Sequence, residues 1–162
     1  MTRQLTTRDA NTIYEIINDA ATAYKGVIPS DCYHEPYMSL KELEDEMKVM
    51  TFYGWEEGGK LVGVMALQPV KDVTLIRHAY VLTDWQRTGI GTKLLKHLKK
   101  QTRTKRLLVG TWVDATWAVD FYKKHGFRLV EKDLLLPKYW TVPPRQIETS
   151  VVLEAQISVP KD

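Results

Sequence analysis

The 162-residue chain has a single cysteine, Cys32, so it cannot close an internal disulfide, and no Cys/His grouping has the spacing of a zinc site. No apolar run approaches the roughly 18 residues that a membrane-spanning helix needs. The first residues, MTRQLTTRD, lack the apolar centre of a secretory signal. There is no internal repeat, no low-complexity tract and no Gly-, Ser- or Pro-rich segment before the pair Pro143-Pro144. Neither sign of charge dominates, since 23 Lys and Arg face 20 Asp and Glu for a formal net charge of +3. These shortages argue against disulfide scaffolds, repeat arrays and disordered polyions. The expectation is a soluble, cytoplasmic protein with an idle thiol and no metal, folded as one domain over residues 1–162 around a core supplied by its 44% hydrophobic content.

What is present is a succession of helical and strand periods. A short strand near Arg3 to Leu5 precedes Ile13, Ile16, Ile17, Ala20, Ala21 and Tyr24, which recur at helical spacing and predict a helix over 8–25, stopped by Gly26. Ser39 and Glu42 form a capping-box pair ahead of a second helix faced by Leu40, Leu43, Met47 and Met50. TFYGW and LVGVMAL flank Gly58-Gly59, a pair suited to a tight hairpin turn, and VTLIRHAYVL follows as a third long strand. Ile90, Leu94, Leu95 and Leu98 mark a helix and RLLVGTWV a strand, so this strand-helix-strand passage predicts a right-handed crossover between parallel neighbours. Ala118, Phe121, Tyr122 and His125 mark another helix, capped by Asp114 or Thr116 and closed by Gly126-Phe127. RLVEK and IETSVVLEA read as strands, and LLLPKYW as an irregular or short helical segment. The fold class is α+β: a mixed, mostly antiparallel sheet of about seven strands with one parallel pair, flanked by about four helices.

The stretch DWQRTGIGTKLL sits at the strand-to-helix junction. The first N–H groups of a helix have no internal partner, and the helix dipole adds positive potential there. Gly89 and Gly91 remove the Cβ atoms that would hold a phosphate away from those donors. The plainer alternative is that the glycines only make a tight turn. A Walker loop is absent because no glycine stands at the required place before Lys93. A dinucleotide fingerprint fails as well, because Leu94 occupies the place of its third glycine.

The run Gln86-Arg87-Thr88-Gly89-Ile90-Gly91 fits the pattern Q/R-x-x-G-x-G/A, and WAVDFYKKHGFRLV fits A-x-x-F-Y-x-K-x-G-F through Ala118, Phe121, Tyr122, Lys124, Gly126 and Phe127. Together they resemble the GNAT superfamily of N-acetyltransferases. The resemblance implies that acetyl-CoA is co-substrate, that the backbone at Tyr80 and Val81 pairs with its pantetheine arm, and that Gln86, Arg87, Thr88, Gly89, Ile90, Gly91 and Thr92 hold its pyrophosphate. It also implies direct attack by a primary amine of a small molecule, an oxyanion stabilised by amides around Ala79 to Val81, and Tyr122 as the acid that protonates the leaving sulfur.

Two departures from that pattern stand out. Leu75 occupies the place where some relatives carry a basic glutamate, which leaves His78 on the same strand as the candidate base; a structural histidine is the competing reading. Ala115 stands where many relatives have an asparagine, whose contact is then missing or supplied by Asp114 or Thr116. For the acceptor, Arg77 and His78 suit a substrate carboxylate or a protein carboxylate such as Glu15. Tyr24, Tyr37, Trp55, Trp112, Tyr139 and Trp140 suit a pocket lining or the core. A non-catalytic CoA-binding sensor or interaction module is the alternative function. The basic run Lys93, Lys96, Lys99, Lys100, Arg103, Lys105 and Arg106 lacks the interleaved aromatics of a nucleic-acid surface, so neither nucleic acid nor membrane is expected as a partner. Strand edges and the PPRQIETSVVLEA segment allow a homodimer.

Overall fold

The computed structural model describes residues 1–158 of the 162. Its strands are β1 (Thr2–Gln4), β2 (Thr51–Glu57), β3 (Lys60–Val70), β4 (Val73–Val81), β5 (Arg106–Trp112), β6 (Arg128–Val130) and β7 (Ser150–Gln156). The helices are α1 (Ala10–Ala20), α2 (Leu40–Met47), α3 (Ile90–Gln101), α4 (Thr116–Lys124), α5 (Lys132–Tyr139) and α6 (Pro144–Glu148). The seven strands are ordered β1-β2-β3-β4-β5-β7-β6, with β4 and β5 as the parallel pair. The mixed, mostly antiparallel sheet expected from the sequence is therefore present. Among the described residues there are six helices where about four were expected. No helix among the described residues is long and apolar enough to cross a membrane.

The chain divides into two compact units, and β4 contributes to both. The first comprises Met1–Ala23, His34–Gln68 and Ile76–Gln101. Here β2 pairs antiparallel with β1 and β3, in registers that set Gln4 opposite Tyr53 and Trp55 opposite Gly63. The β2–β3 turn takes positive φ at Gly58 (56°) and Gly59 (79°), as the glycine pair predicts. Ile13, Ile16 and Ile17 of α1 and Leu43 of α2 are buried with Phe52, Val64 and Ala66 of the sheet. Each large side chain withdrawn from water in this way contributes about 1.5–3 kcal/mol. Helix α1 is shorter than its apolar period implies, because Thr7–Asp9 and Ala21–Tyr24 wind as 3-10 turns at its two ends. Ser39 caps α2 by accepting from the Glu42 amide, as the capping pair predicts.

The second unit comprises Tyr24–Tyr33, Pro69–Leu75 and the chain from Thr102 onward. Strand β7 runs antiparallel between β5 and β6, setting Val109 and Leu129 each opposite Leu153. Leu108, Leu135, Leu136, Tyr139 and Val152 form its core with Val73 and Leu75. Tyr139 is thus a core residue whose hydroxyl donates to Asp72 Oδ1 at 2.7 Å. Trp140 lies over Gly110, where a Cβ would stand 3.5 Å from its Cζ2. The segment read as irregular or short helical is the short helix α5, formed in spite of Pro137 because Leu135, Leu136 and Tyr139 are buried along it. Helix α6 starts at Pro144, where the fixed φ of proline suits a first helical position and its missing N–H costs nothing.

Helix α4 ends as the sequence predicts. Gly126 takes φ 89°, its amide donates to Lys123 O (3.2 Å), and the Phe127 amide donates to Tyr122 O (3.0 Å). The Tyr122 and Phe127 rings meet edge to face at 5.3 Å, closing the motif with an apolar contact. The start of α4 differs from expectation: Ala115 is the N-cap residue, no side chain caps the helix, and Thr116 is already helical.

Candidate active site

Strand β4 ends in the first unit at Tyr80 and Val81. Tyr80 packs with Leu82 against the α1–α2 core, and the Leu82 amide donates to Val62 O at 2.9 Å. Asp19 of α1 then holds the chain beyond the strand, its Oδ2 accepting from the Thr83 amide (2.8 Å) and hydroxyl (3.1 Å). Within the loop, Gln86 Nε2 donates to Val81 O (3.1 Å) and the Thr88 hydroxyl donates to Trp85 O (2.5 Å). The loop is therefore tied to α1, to β4 and to itself.

Its backbone has a specific shape. Arg87 (φ 64°) and Gly89 (φ 85°) are left-handed, while Gln86 before them is extended (φ −69°, ψ 154°). Left-handed backbone at two of three successive residues turns the chain sharply into the start of α3. A Cβ on Gly89 would meet nothing within 4 Å, so the rest of the fold does not pack against the loop at that point. The first backbone bond of α3 runs from the Lys93 amide to Gly89 O (3.1 Å), which leaves the Ile90 and Gly91 amides ahead of the helical ladder. These features fit the pyrophosphate of the expected cofactor. Lys93 does not face the loop: its ammonium lies 4.5 Å from the Trp55 ring centroid.

His78 adopts φ 52°, a left-handed conformation inside a strand. Its ring lies nearly parallel to Phe52, at 5° and 5.8 Å between centroids, and its Nε2 is hydrogen-bonded to Glu46 Oε2. The other Glu46 oxygen is 3.7 Å from Arg77 Nη2, and Arg77 Nη1 donates to Gln68 Oε1 at 2.8 Å. The protein carboxylate that pairs with Arg77 and His78 is thus Glu46 and not Glu15. Burial pushes the Glu46 carboxyl up, but the bond from His78 and the charges of His78 and Arg77 outweigh it and hold the group below its ordinary range. His78 Nδ1 has no hydrogen-bond partner among the described residues. Every sealed side-chain nitrogen or oxygen there has one, so Nδ1 reaches solvent.

In the second unit, Tyr122 is 4% exposed, between Phe121 (5.2 Å, edge to face) and Phe127. Burial raises its phenol far above the ordinary value, and the neighbouring Tyr24 adds to the shift. The hydroxyl is therefore protonated at neutral pH. Like His78 Nδ1, it has no hydrogen-bond partner among the described residues and is not sealed. Leu75 is fully buried, and so is Ala115.

Sequence reasoning missed Glu46, Asp19 and the left-handed turn at Arg87. Glu46 stands among Glu42, Glu44 and Asp45, which share its type, and no local signal separates it from them. Arginine carries no preference that announces a positive φ.

The sequence profile of the acetyltransferase (GNAT) domain family matches residues 49–129, half of the chain. No curated protein sequence matches it. Among solved structures, the chain is similar to PaiA N-acetyltransferase from Thermoplasma acidophilum, in complex with coenzyme A, at 17% identity and TM-score 0.76, over 96% of this chain and 98% of that one. It is similar to the ribosomal-protein-S18-alanine N-acetyltransferase from Escherichia coli at 19% identity and TM-score 0.73, over 100% and 96% of the two chains. N-acetylglutamate synthase from Neisseria gonorrhoeae, complexed with coenzyme A and N-acetyl-glutamate, shares 20% identity and TM-score 0.72 over 98% of this chain and 35% of its own. At these identities the likeness is one of fold.

Proposed function

The chain belongs to the GNAT acetyltransferase family, and from that premise we propose that it moves the acetyl group of acetyl-CoA to a primary amine of a small molecule, by direct attack while both are bound. The observation that carries this reading is the left-handed turn at Arg87 and Gly89, set directly before the Ile90 and Gly91 amides, which lie ahead of the helical bond from the Lys93 amide to Gly89 O. Such donors suit a diphosphate, and glycine at two of the positions lets it approach the main chain.

Bound acetyl-CoA supplies an acyl thioester, whose carbon takes the amine and whose sulfur departs. The residues then divide the work. The Tyr80 and Val81 backbone aligns the pantetheine arm as an added strand. Amides of Ala79 to Val81 stabilise the oxyanion, a contribution typically worth a few kcal/mol. Tyr122, kept neutral by burial, gives its proton to the sulfur. His78 takes the proton that the amine loses.

Isothermal titration with coenzyme A tests the cofactor half, and a mass-spectrometric screen of acetyl-CoA against a library of primary amines tests the transfer half. Saturable binding with acetylated amine supports the proposal, and no binding overturns it. The fully buried Leu75, which cannot accept a proton, favours a second reading as a non-catalytic CoA-binding module. Binding without any acetylated product selects that reading.

A further inference from the structure

The cluster of Glu46, Arg77, His78 and Phe52 is more than an ion pair. A left-handed histidine inside a strand is strained and persists only where its surroundings hold it. Three groups do so here. The Phe52 ring fixes the plane of the imidazole, Glu46 fixes one edge of it, and Arg77, itself held by Gln68, fixes Glu46. On the opposite edge Nδ1 has no hydrogen-bond partner among the described residues and is not sealed from solvent.

The protonation pattern follows from the partners. Glu46 lies between His78 and the Arg77 guanidinium, which keep it ionised against the cost of its burial. An ionised carboxylate only accepts hydrogen bonds, so the shared hydrogen belongs to the imidazole and sits on Nε2. A neutral imidazole carries one N–H, so its lone pair must then lie on Nδ1.

We infer that Glu46 is a positioning residue that locks His78 in the Nε2–H tautomer, so that Nδ1 is the atom that accepts the proton of the acceptor amine. This rests on the proposed acetyl transfer. The amine nitrogen forms its bond to the acyl carbon, the carbon–sulfur bond breaks with its electrons on sulfur, and sulfur takes a proton from Tyr122. The amine proton passes to Nδ1, where the resulting imidazolium faces the Glu46 carboxylate across the ring. Solvent at the open edge then removes it, and the phenol is reprotonated from solvent. Glu46 thereby takes the part of the buried carboxylate of a hydrolase triad, which orients its histidine without titrating itself. Leu75 is then no gap in the catalytic set, because α2 and β4 together supply what a glutamate at that place would supply.

The test separates orientation from transfer. In protein labelled with ¹⁵N-histidine, with the His78 signals assigned by their loss in His78→Gln, long-range ¹H–¹⁵N spectra report the tautomer of the neutral ring without any substrate. The native protein is expected to show Nε2–H alone. Glu46→Gln, whose amide both donates and accepts, is expected to show a mixture, and Glu46→Asp to retain Nε2–H. With acetyl-CoA and glycinamide, spermidine or L-glutamate as acceptor probes, Glu46→Gln should lose at least about 10-fold in kcat with KM for acetyl-CoA unchanged, and Glu46→Asp should recover most of the loss. An Nδ1–H tautomer in the native protein, or an unchanged kcat in a folded Glu46→Gln whose tautomer is mixed, overturns the inference. Loss of kcat in His78→Gln with none in Glu46→Gln leaves His78 as base and removes Glu46. A native protein that acetylates no amine removes the transfer reading, while the spectra still decide the tautomer.

Discussion

Gly63 of β3 and Ile90, the first residue of α3, share one space: a Cβ on Gly63 would lie 2.9 Å from Ile90 Cγ2 and 3.4 Å from Leu94 Cδ1. The absent methyl lets α3 start close against the sheet, and the start of α3 is also the end of the glycine loop. Stability and the proposed cofactor binding thus meet in one pair of residues.

Gly63→Ala should therefore act on both. Overpacking of this size costs about 1–3 kcal/mol, which urea denaturation will read as a lower midpoint. The same displacement moves Ile90 and its amide, so calorimetric affinity for coenzyme A should fall as well. Lower stability with full affinity would show that the loop is held independently of β3.

At Gly91 the expected effect is electrostatic. An aspartate there brings a carboxylate to the helix end where the diphosphate is proposed to bind, and coenzyme A binding should vanish while the thermal midpoint stays within a few degrees of the native value. Gly91→Ala, without the charge, should retain more affinity. Equal titration curves for the native and aspartate proteins would refute the loop assignment.

Tyr122→Phe keeps the ring between Phe121 and Phe127 and deletes only the hydroxyl. Turnover should fall on the order of 100-fold with coenzyme A affinity nearly unchanged. The variant also has an alkaline signature. Burial raises the folded-state phenol, so its contribution to stability is full below the unfolded value of about 10 and is lost as pH rises beyond it, because only the unfolded chain ionises there. The phenylalanine variant should lose stability less steeply above pH ~10 in thermal melts, and identical slopes would contradict the burial.

Glu154 of β7 is 5% exposed and pairs with Arg106, with Arg128 Nη2 at 3.9 Å. Removing Arg106 as alanine leaves a buried carboxylate with only the distant, exposed Arg128, a change that costs about 3–5 kcal/mol when such a pair is broken. Arg106→Ala with Glu154→Leu should recover part of that loss. A double variant no more stable than the single one, by urea denaturation, would argue against a desolvation penalty.

The sequence and the structure agree where local chemistry is specific. Gly58-Gly59 takes the positive φ pair of its hairpin, Ser39 caps α2, and Gly126 with Phe127 closes α4. Proline made two regions harder to read. Pro137 left the segment open between irregular and short helical, which the burial of Leu135, Leu136 and Tyr139 along α5 decides, and Pro143-Pro144 reads as a linker although Pro144 opens α6. The helix predicted over 8–25 is trimmed to Ala10–Ala20, since the apolar period runs on through 3-10 turns that keep the same face inward. In the site, the glycines of the loop were legible, whereas the left-handed Arg87 and the Glu46–His78 pair were not. Residues 46 and 78 meet only through the fold, and no spacing along the chain encodes that meeting.

Both outermost strands, β1 and β6, are three residues long, and each carries an arginine, Arg3 and Arg128. A foreign strand laid along either margin would find roughly 10 Å of ladder to extend. Fibril growth by recruitment of neighbouring molecules needs a longer template than that, so crowded solutions of the folded protein have little from which to seed ordered aggregates.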